Sequence, residues 1–309
     1  MNKLLFILLS VITVSCNHTY FSDTVIYDAS QQKHEKVIRL DLSGENLQQL
    51  PEDIEQYINL RFINLSNNPK LDLTAAFEQL KNLTNLTVLK LDSNGLEELP
   101  SNINHIVLLQ NLSLSYNPTL NLDKALKQLS SLTYLTALNL SHNNIVEIPE
   151  SVSGLVQLKN IRLSDNNINS SLTYSRLAKI DELKFLWLDH NNIKELPVSV
   201  GELTQIRELY LGNNSLKNLP KEIENCDKLC VLYLGGNEFK DLPNEILETK
   251  LRMLVMYGNQ ITTIPKSYKK IKPPLSILVL DNNYLNFEQQ KIATKYFTGF
   301  FLLSMKNQK

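Results

Sequence analysis

From Val37 onward, apolar and polar positions follow one template, L-x-x-L-x-L-x-x-N-x-L-x-x-L-P, whose first residue is here called slot 1. Copies begin at Val37, Leu60, Leu86, Leu109, Leu135, Leu158, Leu183, Ile206, Leu229, Leu251 and Leu275, spaced 22 to 26 residues apart. Slots 4 and 6, such as Leu40 and Leu42 or Leu209 and Leu211, alternate with polar neighbours, which predicts a short half-buried strand in every copy. Slots 1, 11 and 14 complete an apolar set pointing into each coil. The strands are therefore expected to pair in parallel into one sheet, spanning on the order of 50 Å at ~4.8 Å per strand.

Slot 9 is polar where its neighbours are apolar. It reads Asn68, Asn94, Asn117, Asn143, Asn166, Asn191, Asn214, Asn237, Asn259 and Asn283. A chain that turns after every strand leaves backbone donors and acceptors inside the coil, and an amide side chain carries both complements. These ten are expected to stack as an asparagine ladder. The first copy has Glu45 in this slot, as befits an atypical terminal repeat.

The return path varies between copies. Most carry Pro in slot 15, which predicts an irregular or 3₁₀ return. The two 26-residue copies contain 74–80 and 123–129, both with helical spacing. Residues 287–297 read as an amphipathic capping helix, and Phe300 to Leu303 as a segment packed on it.

This template resembles that of the leucine-rich repeat family. The L-P-x-x-I ending, as in Leu219 to Ile223, is similar to its 23-residue bacterial type. The resemblance implies an α/β solenoid, a horseshoe of about eleven coils with a concave parallel β-sheet and a mostly irregular, partly helical convex side. Eleven copies over 37–286 leave 16–36 for a tether and N-terminal cap and 287–309 for a C-terminal cap helix and tail. The family's usual role implies a non-enzymatic scaffold that binds a protein or peptide.

The N-terminal stretch MNKLLFILLSVITVSC has one early cation, Lys3, and then an apolar run too short to span a bilayer, which takes roughly 20 residues. It resembles a bacterial lipoprotein signal in which 1–15 are removed and Cys16 is acylated. The departure is Thr13, where that family carries an aliphatic residue. The expectation is a cell-envelope protein anchored to a membrane by lipid, with a secreted protein as the alternative.

Charge excludes little and suggests little: 31 basic and 32 acidic residues give a net charge of −1, with no long run of one sign. A basic stripe for nucleic acid is not visible along the chain. No glycine-rich phosphate loop, HExxH or nucleophile elbow is present, so neither an enzyme nor a cofactor is expected. Cys226 falls in a core slot and Cys230 in slot 2 on the face, which argues against a disulfide. In slot 8, His142, Asp165 and His190 form a row; a solvated edge is the expected reading, since outer members lie ~10 Å apart.

Slot 5 points outward from the sheet. It is polar through the first six copies and then reads Trp187, Tyr210 and Tyr233, with Phe185 in slot 3 and Tyr257 in slot 7 alongside. Aromatics on a rigid face suit a binding hot spot. They equally suit cross-strand packing within the sheet itself. The five residues are the ligand-binding candidates, for a peptide or, alternatively, for a surface glycan. The protein is expected to be a monomer.

Overall fold

A computed structural model describes residues 34–270 and 274–309. Cys16 and the leader lie outside the described residues. The core of the molecule is one open parallel sheet of twelve strands in strict chain order. The first six are β1 (Arg39–Asp41), β2 (Phe62–Asn64), β3 (Val88–Lys90), β4 (Asn111–Ser113), β5 (Ala137–Asn139) and β6 (Asn160–Arg162). The rest are β7 (Phe185–Trp187), β8 (Glu208–Tyr210), β9 (Val231–Tyr233), β10 (Met253–Val255), β11 (Ile277–Val279) and β12 (Leu302–Ser304). Each strand covers slots 3 to 5, and its slot-4 residue faces inward: Leu40, Leu89, Leu138 and Leu186 are all at most 2 % exposed. Adjacent strands pair slot for slot, for example Phe185 with Glu208 and Trp187 with Tyr210.

Slots 1, 4, 6, 11 and 14 of successive coils fuse into one continuous core. Fully burying a leucine contributes roughly 1.5–3 kcal/mol, so each coil depends on its neighbours to cover the set it presents. The returns follow local chemistry. Short 3₁₀ turns begin directly after Pro100, Pro149, Pro197 and Pro220, whose φ of −59 to −72° already suits a helical start. The two longest copies instead form α1 (Leu73–Leu80) and α2 (Leu122–Leu129), where Asp72 and Asn121 accept the backbone N–H of Ala75 and Lys124. Further helical returns are α3 (Leu172–Leu177), α4 (Ser267–Lys270) and α5 (Phe287–Tyr296).

The C-terminal segment departs from the expected count. Residues 300–309 do not simply pack on a capping helix; they build a twelfth, partial coil. Leu302 pairs with Ile277 and Ser304 with Val279. In this register Gln308 falls in slot 9. Its Nε2 donates to the Leu280 carbonyl at 2.8 Å and its Oε1 accepts from Leu285 N–H at 3.0 Å. A longer amide thus performs the asparagine's task. Helix α5 is then the convex return of the eleventh coil, as α1 and α2 are of theirs.

Candidate functional site

The ladder positions the face. In eleven successive coil pairs a slot-9 amide donates to the slot-6 carbonyl of the preceding coil, from Asn68 to Leu42 through Asn191 to Leu163 to Asn283 to Met256 and Gln308 to Leu280. The amide oxygen most often accepts the slot-11 N–H of that preceding coil, as Asn191 does from Ile168 at 3.0 Å. In the longer second and fourth copies the slot-9 N–H takes its place, as when Asn68 N–H donates to Asn94. These bonds lock each turn, so the outward side chains of slots 3, 5 and 7 stand on a rigid frame.

Slot 8 has its own explanation. All twelve slot-8 residues, from Gly44 through Tyr116, His142, Asp165 and His190 to Asn307, have φ between 50 and 75°. The turn demands the left-handed region, which Gly, Asn, Asp and His tolerate best. The left-handed backbone accounts for His142, Asp165 and His190 being tolerated in this slot. His142 stacks on Tyr116 with centroids 4.0 Å apart, and its Nε2 lies 3.2 Å from Asp165. Among the described residues no cluster of three or more His, Cys, Asp or Glu is arranged to hold a metal. Cys226 and Cys230 are both free thiols, and burial pushes the Cys226 thiol up to about 12.

The outward face divides in two. Over β1–β6 it is a polar mesh: Asn139 donates to Ser113 Oγ at 3.0 Å, Ser141 donates to Asn139 at 2.8 Å, and Asp92 accepts from Ser115 N–H at 2.9 Å. From β7 onward it becomes apolar. Val231, Met253, Val255, Ile277 and Val279 pack together outside the main core, joined by Tyr233, Tyr257 and Leu302.

The five aromatic candidates lie together at the head of this apolar half. Trp187 and Tyr210 stack with centroids 5.2 Å apart and planes 8° from parallel. Tyr210 meets Tyr233 at 6.0 Å, Tyr233 meets Tyr257 edge-on at 5.8 Å, and Phe185 meets Trp187 at 6.4 Å. The Arg162 guanidinium lies over Trp187, 4.9 Å from its centroid. Trp187 therefore has a cation on the β6 side and a ring on the β8 side. Tyr210 and Phe185 are largely buried by this arrangement, at 7 % and 9 % exposure, while Trp187, Tyr233 and Tyr257 are half-buried. Both faces of the Trp187 ring are thereby covered.

Residues that the linear pattern did not single out make this packing possible. Gly212 and Gly235 occupy slot 7, where a Cβ would meet Tyr233 Cε1 at 2.7 Å and Tyr257 Cε1 at 2.5 Å. Asp189, also in slot 7, accepts Gly212 N–H at 2.8 Å, yet burial still pushes its carboxyl above the usual range. Glu208 is buried and accepts the Tyr210 hydroxyl at 2.6 Å. Burial also raises the Tyr233 hydroxyl, reinforced by its hydrogen bond with Tyr257. A run of glycines in slot 7 beside aromatics in slot 5 was the available signal.

Comparison with known proteins agrees with the geometry. A family model described as leucine rich repeat matches residues 109–168 and 181–239. A leucine-rich repeat protein of Leptospira interrogans has a similar structure, with a TM-score of 0.66 and 30% identity over 85% of this chain and 71% of that one. The chain belongs to the leucine-rich repeat family. Two other solved structures share its fold. An internalin of Listeria monocytogenes aligns with a TM-score of 0.60 and 24% identity, over 89% of this chain and 82% of that one. TLR13, solved in complex with ssRNA13, aligns with a TM-score of 0.62 and 25% identity; it covers 82% of this chain, which spans only 40% of that one. No curated protein matches the chain. Members of this repeat family generally act as binding scaffolds.

Proposed function

We propose that this protein is a non-enzymatic scaffold of the bacterial cell envelope, held to a membrane by lipid at Cys16, that binds a protein or peptide along the outward face of its sheet. One observation carries the reading: one half of a rigid, hydrogen-bonded face is apolar and aromatic, and Trp187, Tyr233 and Tyr257 stay half-exposed upon it. Half-exposed aromatic side chains on a rigid face are what binding hot spots use. The Leptospira and Listeria neighbours support a bacterial setting. The carbohydrate alternative needs free ring faces for sugars, and the stacking of Trp187 between Arg162 and Tyr210 leaves none at the centre of the cluster. Among the described residues no helix is long and apolar enough to cross a membrane, and the proposed anchor is argued from the leader's resemblance to a lipoprotein signal.

Photo-cross-linkers placed at Tyr257 on the face and at Lys221 on the opposite side test the binding surface in intact cells. The face position should trap protein partners and the convex one should not. Equal yields from both would sink the reading. Labelled fatty acid should enter the wild type and be lost with Cys16→Ala, which should also leave the membrane fraction. No incorporation into the wild type would refute the anchor.

A further inference from the structure

Stacking brings together residues that stand about 23 positions apart in the sequence. Slot 2, at the margin of the sheet, reads Lys159, Lys184, Arg207, Cys230, Arg252, Ser276 and Phe301 over the last seven coils. The five coils before it hold a single cation there, Arg61. The linear sequence shows no basic stripe, whereas the fold makes one along a single edge of the face. Lys184 is engaged with Glu182 at 2.8 Å. Arg207 and Arg252 are exposed, and no ion pair to either is present among the described residues.

Beside this row runs a groove of about 460 Å³. Its floor is slot 3, with Val231, Met253 and Ile277 all buried. Its margin holds Arg207, Cys230, Arg252 and Phe301. Phe301 is 73% exposed, a whole aromatic side chain standing in water beside an apolar floor. Glu208 lies in the same groove, buried and hydrogen-bonded to Tyr210.

We propose that this groove seats an extended peptide segment in which apolar and acidic residues alternate, its apolar side chains on the Val231–Met253–Ile277 floor and its carboxylates on Arg207 and Arg252. The proposal rests on the scaffold reading above and specifies its partner. Extended chain sends alternate side chains to opposite sides, with like-facing residues ~7 Å apart, so an apolar and an acidic series separate naturally onto floor and margin. Arg207 and Arg252 are two strands apart, ~10 Å at the backbone, within reach of carboxylates on such a chain. Guanidinium meets carboxylate with two parallel hydrogen bonds, and partial desolvation beside an apolar floor strengthens the pair. A single-stranded nucleic acid would also meet cations here, but of the two aromatics lining the groove Phe185 is buried, which leaves only Phe301 within it for base stacking.

The test is a selection from a random dodecapeptide display library against the full chain, followed by titration of the selected peptides. Selected peptides should be enriched at least about twofold in Asp and Glu, interleaved with Leu, Phe or Ile. Arg207→Glu with Arg252→Glu should weaken them at least tenfold, and Phe301→Ser should weaken them independently. All three positions are exposed, so an unchanged thermal midpoint confirms that the variants fold. Bound peptide should also slow alkylation of Cys230, read by mass spectrometry. Failure to select any peptide, selection without acidic enrichment, binding indifferent to the charge reversal, or tighter binding of a 12-mer oligouridylate each overturns the proposal. If the face cross-linker still traps a protein after such a result, the scaffold reading survives and only the groove is refuted.

Discussion

At the scale of single residues, two kinds of position govern this molecule. Buried amides are one. Asn191 is 2 % exposed, donates to Leu163 O at 2.9 Å and Asp189 O at 3.1 Å, and accepts from Ile168 N–H. Asn191→Ala leaves those groups without partners, each costing roughly 1–3 kcal/mol. The thermal midpoint should fall by several degrees, and an unchanged midpoint would show that water replaces the amide. Glycines under rings are the other. Gly235→Ala drives a methyl into the Tyr257 ring, and overpacking of this kind typically costs ~1–3 kcal/mol. Adding Tyr257→Ala should remove most of that penalty. Simple additivity in the double-mutant cycle would contradict the steric account.

At the scale of elements, the β12 coil reveals how the repeat terminates. It lacks the leucine of slot 1, for which Phe300 stands, and the asparagine of slot 9, for which Gln308 stands. Neither substitution matches the template by letter, although both satisfy its physical demands. Gln308→Ala should therefore loosen the last coil while leaving the middle intact. Hydrogen exchange should speed up at Leu285 by about tenfold or more and remain unchanged at Ile168, because terminal coils have a neighbour on one side only. Equal acceleration at both amides would mean the solenoid unfolds as one unit. The helices behave differently: α1 and α2 were legible because each has three or more apolar residues at helical spacing and a capping Asp or Asn. The short α3 and α4 were not, since six and four residues carry little periodicity.

At the scale of the whole molecule, charge is arranged by side. The convex surface carries coil-to-coil ion pairs, including Lys124 with Glu98, Lys179 with Glu150, and Arg176 with Glu147. The Lys81 hydrogen bond, with a second from Asn102, holds Glu78 down to about 2, and the carboxyls of Asp123, Glu147 and Glu150 are likewise lowered. A folded-state value below the unfolded one near ~4.3 contributes stability above that pH, lost as pH falls toward 2. The groups are exposed, so each effect is small. The denaturation midpoint should drop between pH 5 and pH 3, and Glu78→Gln should shrink that drop. A variant with the full wild-type drop would remove Glu78 from the account. The face opposite is divided along the solenoid axis into a polar and an apolar half, with the cations of slot 2 beside the latter.

The sequence by itself determined the coil: which slots turn inward, where each strand lies, which amides stack, and that aromatics cluster on β7 to β9. Those are demands within one repeat or between identical slots, and they recur often enough to be read as a period. Only the tertiary structure decided what depends on side chains 22 to 26 positions apart meeting across strands. It buried Phe185 and Tyr210 rather than leaving them open, placed Gly212 and Gly235 beneath their neighbours' rings, and set Arg207 and Arg252 along one margin. It also gave slot 8 its left-handed backbone, which explains a His-Asp-His row that spacing alone cannot interpret. Lateral contacts follow from register and ring size, and a one-dimensional pattern of polar and apolar letters contains neither.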